Sequence, residues 1–292
     1  MSCLLMSQYI NDKKVEELEI KANEARELLI EMLTEAGSGH TAGPLGMADI
    51  FTAMYFHVLN HDPKNPDMPD RDRLILSNGH ICPIRYVSMA MSGYFPIEEL
   101  KTLRKLGSRL QGHPERLRLP GIETTSGPLG QGLGQACGIA YGAQMDGKKF
   151  RTYCIMSDGE HDAGVTWEAI MFAGKNKLSN LTGIIDRNNI QIDGMTEDIM
   201  PLENLRAKYE AFNWHVLEVD GHNIEALVDA THEVAAIHEK PTVIIAHTIP
   251  GKGIHEIEFD YNWHGKPPKP EEAKKFLDEL RTLGGKIKSE HQ

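Results

Sequence analysis

Cysteine is scarce in this chain, positive charge is outnumbered, and no apolar run is long. Four cysteines occur among 292 residues, Cys3, Cys82, Cys137 and Cys154, and no two form a CxxC pair. That argues against a disulfide framework and a cysteine zinc site, and it predicts reduced thiols in a cytoplasmic protein. Runs such as Val243-Ile244-Ile245-Ala246 are far too short to cross a bilayer. Met1–Ile10 has no basic stretch ahead of Cys3-Leu4-Leu5-Met6, so it makes a poor secretory signal. Lys and Arg number 31 against 42 Asp and Glu, a net charge of −11, which argues against a partner with a nucleic-acid backbone. No internal repeat or low-complexity tract is visible. What the chain does carry is 14 histidines and 27 glycines, several of them adjacent in short Gly-His segments.

Apolar positions Val15, Leu18, Ala22, Ala25, Leu28, Leu29 and Met32 recur near a 3.6 period and predict a helix over Lys13–Glu35, stopped by Gly37-Ser38-Gly39. Met47–Leu59 reads as a second, mostly buried helix, Leu74–Leu76 as a strand and Glu98–Leu106 as a helix. Between Gly130 and Gln144 the residues are small (Gly132, Gly134, Ala136, Gly138, Ala140, Gly142, Ala143). Each interior Gly costs a helix about 1 kcal/mol, so close packing at a sheet or subunit contact is expected there, and a tightly buried helix is the preferred reading. Strands at Thr152–Ser157, Leu181–Asp186, His215–Val219 and Thr242–His247 then alternate with helices at Val165–Lys177, Leu205–Phe212 and Ile224–Ile237. This predicts an α/β fold, a parallel sheet with helices on both faces. A last amphipathic helix is expected at Glu271–Leu283, in a tail over residues 268–292, with no second core.

Parallel sheets bind ligands beyond the carboxyl ends of their strands. Ser157-Asp158-Gly159-Glu160 ends one strand and Asp186-Arg187-Asn188-Asn189 the next. One helix and one returning strand separate them, which brings Asp158 and Asn188 to one edge. An Asp carboxylate, an Asn amide oxygen and a backbone carbonyl suit a hard cation such as Mg²⁺, completed by diphosphate oxygens and water. Gly159 lets the backbone approach a phosphate. Each residue alone reads more simply, Asp158 as a helix cap and Asn188 as a turn residue. The pair at two strand ends favours the metal.

Asp158-Gly159 followed by Asn188-Asn189 resembles the thiamine-diphosphate motif of the transketolase-like enzymes, with Ser157 where that motif begins with Gly. The resemblance runs from Ala36 to about Pro268. It is carried by Ser38-Gly39-His40, Leu76-Ser77-Asn78-Gly79-His80, Gly112-His113-Pro114-Glu115, Ser126-Gly127-Pro128-Leu129-Gly130-Gln131-Gly132 and Trp263-His264-Gly265, in the family's order. It implies that residues 1–292 form one domain binding the diphosphate of thiamine diphosphate with Mg²⁺, for which Ca²⁺ or Mn²⁺ can substitute. Asp158, Asn188 and the Ile190 carbonyl would hold the metal, and Gly159 would touch the diphosphate. His80, His264, Gly127, Pro128 and Leu129 would meet the cofactor. His40 and His264 would handle the proton of the donor's hydroxyl, and His113 would hold the terminal hydroxyl of the two-carbon unit. Imidazole can give and take protons near neutral pH. A lone Gly-His is more simply a turn residue, and Lys252 and Lys266, beside His264, read as solvated.

Ala163 departs from the resemblance. Transketolases usually place a Glu there, in a network joining paired active sites; Glu168 is kept. The small residue tilts toward deoxyxylulose-phosphate-synthase relatives, while Trp167-Glu168-Ala169 looks like transketolase. The pyrimidine-binding and C-terminal domains of a single-chain transketolase have no counterpart in the sequence. The expectation is therefore the N-terminal subunit of a split transketolase, acting on sugar phosphates. Its partner would be a separately encoded C-terminal subunit, the two forming an α2β2 heterotetramer, with no nucleic acid and no membrane as partner. The competing readings are a subunit of another thiamine-diphosphate enzyme, a transketolase for a modified sugar such as a sulfo-sugar, and a regulatory half without catalysis.

Overall fold

A computed structural model describes residues 10–282. Cys3 and the part of the tail beyond 282 lie outside the described residues. The chain opens with α1 (Asp12–Ala36), capped by the Asn11 side chain and closed by Gly37 in the left-handed conformation, φ 59°. Then come α2 (Ala42–Gly46), α3 (Ala48–Ala53), β1 (Arg73–Leu76) and α4 (Cys82–Ser92). After a long loop follow α5 (Gln131–Met145), β2 (Thr152–Ser157), α6 (Gly164–Lys175) and β3 (Leu181–Arg187). A short antiparallel pair, β4 (Ile190–Gln191) and β5 (Gly194–Met195), leads into α7 (Thr196–Ile199) and α8 (Leu205–Ala211). The chain continues with β6 (His215–Asp220), α9 (Ile224–Ala236), β7 (Thr242–His247) and α10 (Pro270–Thr282).

Five strands form one parallel sheet in the order β1-β2-β3-β7-β6. Successive residues of a strand point to opposite faces, and here both faces are apolar. Leu74, Leu76, Tyr153, Ile155, Ile184 and Ile244 enter a core under α1, α3, α4 and α9. Ile75, Cys154, Met156, Ile185, Val243 and Ile245 enter a second core under α5, α6 and α8. Helices thus cover both faces, as the alternation of strands and helices predicts. Cys82, Cys137 and Cys154 are buried and free, and no helix among the described residues is long and apolar enough to cross a membrane.

Three expectations need correction. The helix expected over Met47–Leu59 slips after Ala53 into a π turn, Met54–Val58, in which the Leu59 amide donates to the carbonyl of Met54, 2.9 Å away. The segment expected as a helix over Glu98–Leu106 is instead a 3-10 turn, Ile97–Thr102. Only Leu100 and Leu103 are buried there, too little apolar surface to hold a longer helix. Helix α5 is packed on one side only. A Cβ at Gly132 would lie 2.4 Å from that of Ser77, but at Gly134, Gly138 and Gly142 it would meet nothing within 4 Å. Those three glycines form an open stripe, with Tyr141, Met145, Met171 and Phe172 exposed on the same helix or on α6.

A buried polar relay fixes the layer beside the site. Arg26 of α1 donates to the Leu45 carbonyl at 3.2 Å and meets Asp49 of α3 in a fork at 3.2 and 2.6 Å. Asp49 also accepts from Nδ1 of His222 at 2.8 Å, and Nε2 of His222 accepts from the Ile249 amide at 2.8 Å. The arginine and histidine hold the Asp49 carboxyl down at about 2, against the upward push of burial. Replacing Asp49 by Ala leaves the Arg26 charge buried and unpaired. The expected cost is about 3–5 kcal/mol, read by urea denaturation. A loss below about 1 kcal/mol would show that the relay does not hold this layer.

Candidate functional site

His40 follows α1, His80 lies in the turn after β1, and His264 ends the 3-10 turn Tyr261–Trp263. Their ring centroids lie 4.9 Å (His40–His80), 5.5 Å (His40–His264) and 5.1 Å (His80–His264) apart. Two bonds across more than two hundred residues bring the first and last together. The Thr41 hydroxyl donates to the Lys266 carbonyl at 2.6 Å, and the Gly251 amide to the Ala42 carbonyl at 2.8 Å. Gly79 lets a second segment close on the His80 turn, because a Cβ there would lie 2.7 Å from that of Ser126 and 3.0 Å from the Gly127 nitrogen.

Burial and mutual repulsion keep this group neutral. Burial first, then the charges of His264, Arg104 and His113, push His40 down to about 4. His80 is held well below the usual imidazole range by burial and by His264, His40 and His113. His264 is lowered by burial, and His113 by burial and Arg104. Nδ1 of both His40 and His264 is buried without a hydrogen-bond partner.

The second half of the site comes from the sheet. β2 and β3 pair Ser157 with Asp186, so Asp158 and Asn188 leave adjacent strands at the same edge. Asp158 is 1% exposed. Its Oδ1 accepts from the Gly159 amide at 2.7 Å. Its Oδ2 accepts from the Asn189 amide at 2.8 Å, Arg187 Nη1 at 3.1 Å and the Thr196 hydroxyl at 3.4 Å. Burial raises its pKa, against the opposing pull of Arg187 and the two amides. Asn188 donates to Asp186 at 2.8 Å and accepts from the Ile190 amide at 3.0 Å. The simpler roles are therefore filled as well, since Asp158 caps the 3-10 turn Gly159–Asp162 and Asn188 closes a turn.

Both residues still open onto one cavity of about 340 Å³. It is lined by Asp158, Gly159, Asn188 and Ile190 on one side and by His40, His80, His113, Gly127, Leu129 and His264 on the other. Of the residues assigned from the sequence to the metal, the cofactor or the substrate, Pro128 is the one that does not line it. Among the described residues no three His, Cys, Asp or Glu side chains cluster as a metal site. One carboxylate, one amide and one carbonyl instead fit a hard cation that takes its remaining oxygens from a ligand. The two orphaned imidazole nitrogens fit a polar molecule held opposite.

Four residues escaped the sequence reading. Asp186, pushed up to about 7 by burial, orients the Asn188 amide and accepts from Thr248. Arg187 backs Asp158. Glu160, 1% exposed, is pushed up to about 8 by burial. Arg104, exposed with φ 59°, donates to Ser38 at 3.0 Å beside His40 and His113. Lys252, read as solvated, is 4% exposed, whereas Lys266 lies over the Trp263 ring at 3.6 Å and pairs with Glu272. A larger groove of about 610 Å³, beyond Arg187, is lined by Glu218 and His247, which pair with each other at 3.0 Å.

Residues 18–283 match the family described as the transketolase, thiamine diphosphate binding domain. A 6-deoxy-6-sulfo-D-fructose transketolase subunit from Clostridium sp. (strain MSTE9) is 42% identical, over 92% of this chain and 98% of that protein. One subunit of an apulose-4-phosphate transketolase from Phocaeicola vulgatus is 37% identical, over 95% and 99%. A transketolase from Campylobacter jejuni superimposes with a TM-score of 0.86 at 35% identity, over 95% of this chain and 43% of that one.

The depressed His40 sets a pH dependence. Its folded pKa of about 4 lies below the ordinary 6.5. The unfolded chain therefore binds more protons between those values, and stability falls as pH drops from about 6.5 to about 4. Between pH values of about 6.5 and about 4, wild type should lose stability relative to His40→Asn, measured by denaturant titration. A difference that stays flat with pH would mean His40 is not held neutral.

Proposed function

The chain belongs to the family of transketolase thiamine-diphosphate-binding domains, and we propose that it is the N-terminal subunit of a two-subunit transketolase. In this reading it moves a two-carbon ketol unit from a ketose phosphate to an aldose phosphate. The observation that carries the proposal is the single cavity joining Asp158, Asn188 and Ile190 to the four histidines. The two subunit relatives, matched over 98% and 99% of their own lengths, support the split arrangement.

Asp158, Asn188 and the Ile190 carbonyl would hold Mg²⁺, and Gly159 would meet the diphosphate. His80, Gly127 and Leu129 would contact the cofactor's rings, joined by His264. When bound, the cofactor supplies the nucleophilic carbon and the electron sink that breaking a carbon–carbon bond needs. The protein's part is acid–base and positional. His40 and His264, kept neutral by burial and with Nδ1 unsatisfied, can accept the donor hydroxyl's proton and return it to the acceptor's oxygen. His113 would hold the terminal hydroxyl of the transferred unit. Arg104 is a cation this chain brings beside the histidines.

The partner would be a separately encoded C-terminal subunit, in an α2β2 heterotetramer acting in cytoplasmic sugar-phosphate metabolism such as the pentose phosphate pathway. The open glycine stripe of α5 and the exposed Tyr141, Met145, Met171 and Phe172 are the surface for a subunit contact. A second reading keeps the chemistry and changes the sugar. Two relatives are named for 6-deoxy-6-sulfo-D-fructose and for apulose-4-phosphate, which makes a modified ketose a specific alternative donor.

Two measurements test the proposal. The purified chain with thiamine diphosphate, Mg²⁺ and a ketose phosphate should show only background transfer until the partner is added; robust turnover by the chain alone would overturn the split arrangement. In the reconstituted pair, Asp158→Ala should weaken metal-dependent cofactor binding by about 100-fold or more. Calorimetry showing wild-type affinity in that variant would remove Asp158 from the metal site.

A further inference from the structure

Arg187 has no role in the chemistry proposed so far, yet its placement is specific. It is the last residue of β3, its side chain is 4% exposed, and it does not line the histidine cavity. Its guanidinium divides between two tasks. Nη1 donates to Oδ2 of Asp158 at 3.1 Å. Nη2 donates to Glu197 at 2.6 Å and Glu203 at 2.9 Å, both on the segment that follows β5. With the Asn189 amide at 2.8 Å and the Thr196 hydroxyl at 3.4 Å, Oδ2 of Asp158 receives three donors. Oδ1 receives one, the amide of Gly159. A carboxylate oxygen has two lone pairs, so Oδ2 is filled and Oδ1 keeps one free.

We propose that Arg187 is a positioning residue for the metal site. It locks Asp158 through Oδ2 so that Oδ1 alone is offered to the cation, while Glu197 and Glu203 hold the guanidinium in that pose. The proposal rests on Asp158 being a metal ligand. It joins the strand-end carboxylate to the segment from Thr196 to Glu203 through one side chain, since that segment supplies both anchoring glutamates and a further donor to Oδ2.

The sign of the effect separates positioning from charge. One guanidinium beside three carboxylates leaves the group negative. Removing the positive charge makes it more negative, so a pure field effect would tighten cation binding. Positioning predicts the reverse, because an unlocked carboxylate can turn or bind in a second geometry. Lysine keeps the charge but lacks the planar fork that reaches Asp158 and the glutamates together.

The test uses the full chain with its partner subunit, thiamine diphosphate and Mn²⁺, with free Mn²⁺ followed by electron paramagnetic resonance. Arg187→Met should bind Mn²⁺ about tenfold or more weakly. Arg187→Lys should fall between that variant and wild type. Binding by Arg187→Met as tight as wild type, or tighter, overturns the proposal. If the methionine variant does not fold, the lysine variant decides, and wild-type affinity in it is the overturning result. Failure of the wild-type pair to bind Mn²⁺ would sink the cofactor reading itself, and this inference with it. Tight wild-type binding with unaffected variants sinks the inference alone.

Discussion

A carboxylate almost fully removed from water needs compensation, and the arrangement around Asp158 supplies it from the next strand. The β2–β3 register pairs Ser157 with Asp186. Three residues further, the chain turns at Asn189, φ 63°, and the Asn189 amide donates to Asp158. Asparagine enters the left-handed region more readily than most residues, so that position has a local reason. Arg187 provides the charge partner and Gly159 the second amide. A one-residue slip between the strands would turn Arg187 to the other face and remove the amide, leaving Asp158 buried and unpaired. The metal-binding reading, the cavity and the inference about Arg187 all depend on that register.

The histidine half rests on a different constraint. His40 and His264 are 224 positions apart in sequence, and they meet because the loop after β7 is bonded to the segment before α2. The relay from Arg26 through Asp49 and His222 to Ile249 anchors that loop from below. Three imidazoles within 6 Å of one another would repel if charged. Burial and proximity therefore favour the neutral form, which has one nitrogen to accept a proton and one to donate. The packing that builds the cluster also sets its protonation state.

The regular elements were legible because their patterns are local. The period in α1, the cluster Gly37-Ser38-Gly39 and the alternation of strands with helices from β2 onward translate directly into the observed layers. Asp158 and Asn188 were legible because a βαβ unit has one geometry. Features needing a third dimension were not. The sequence around Arg187 shows a charge at a strand end but not which face it takes. Lys252 looks like any exposed lysine until its loop folds inward. The β4–β5 pair had a usable signal, Asp193-Gly194 between Ile190 and Met195, of the kind that marks hairpins. Glycine in α5 announced close packing, but periodicity could not say that one stripe faces outward.

Two features of the folded chain are unfavourable where they stand. An unsatisfied buried polar atom costs about 1–3 kcal/mol, and Nδ1 of His40 and of His264 are two such atoms in one cavity. Each interior helix glycine costs about 1 kcal/mol, and three lie on an open face of α5 beside exposed aromatic and methionine side chains. Neither cost is explained by the packing of this chain, because the surrounding cores are filled and a Cβ would fit at all three glycines. Contact with something else would account for each. A polar ligand in the cavity would satisfy the imidazoles, and a second polypeptide against α5 would use the close approach that glycine permits. The proposed subunit of a cofactor enzyme meets both conditions at once, whereas a self-sufficient protein would leave the glycine stripe without a reason.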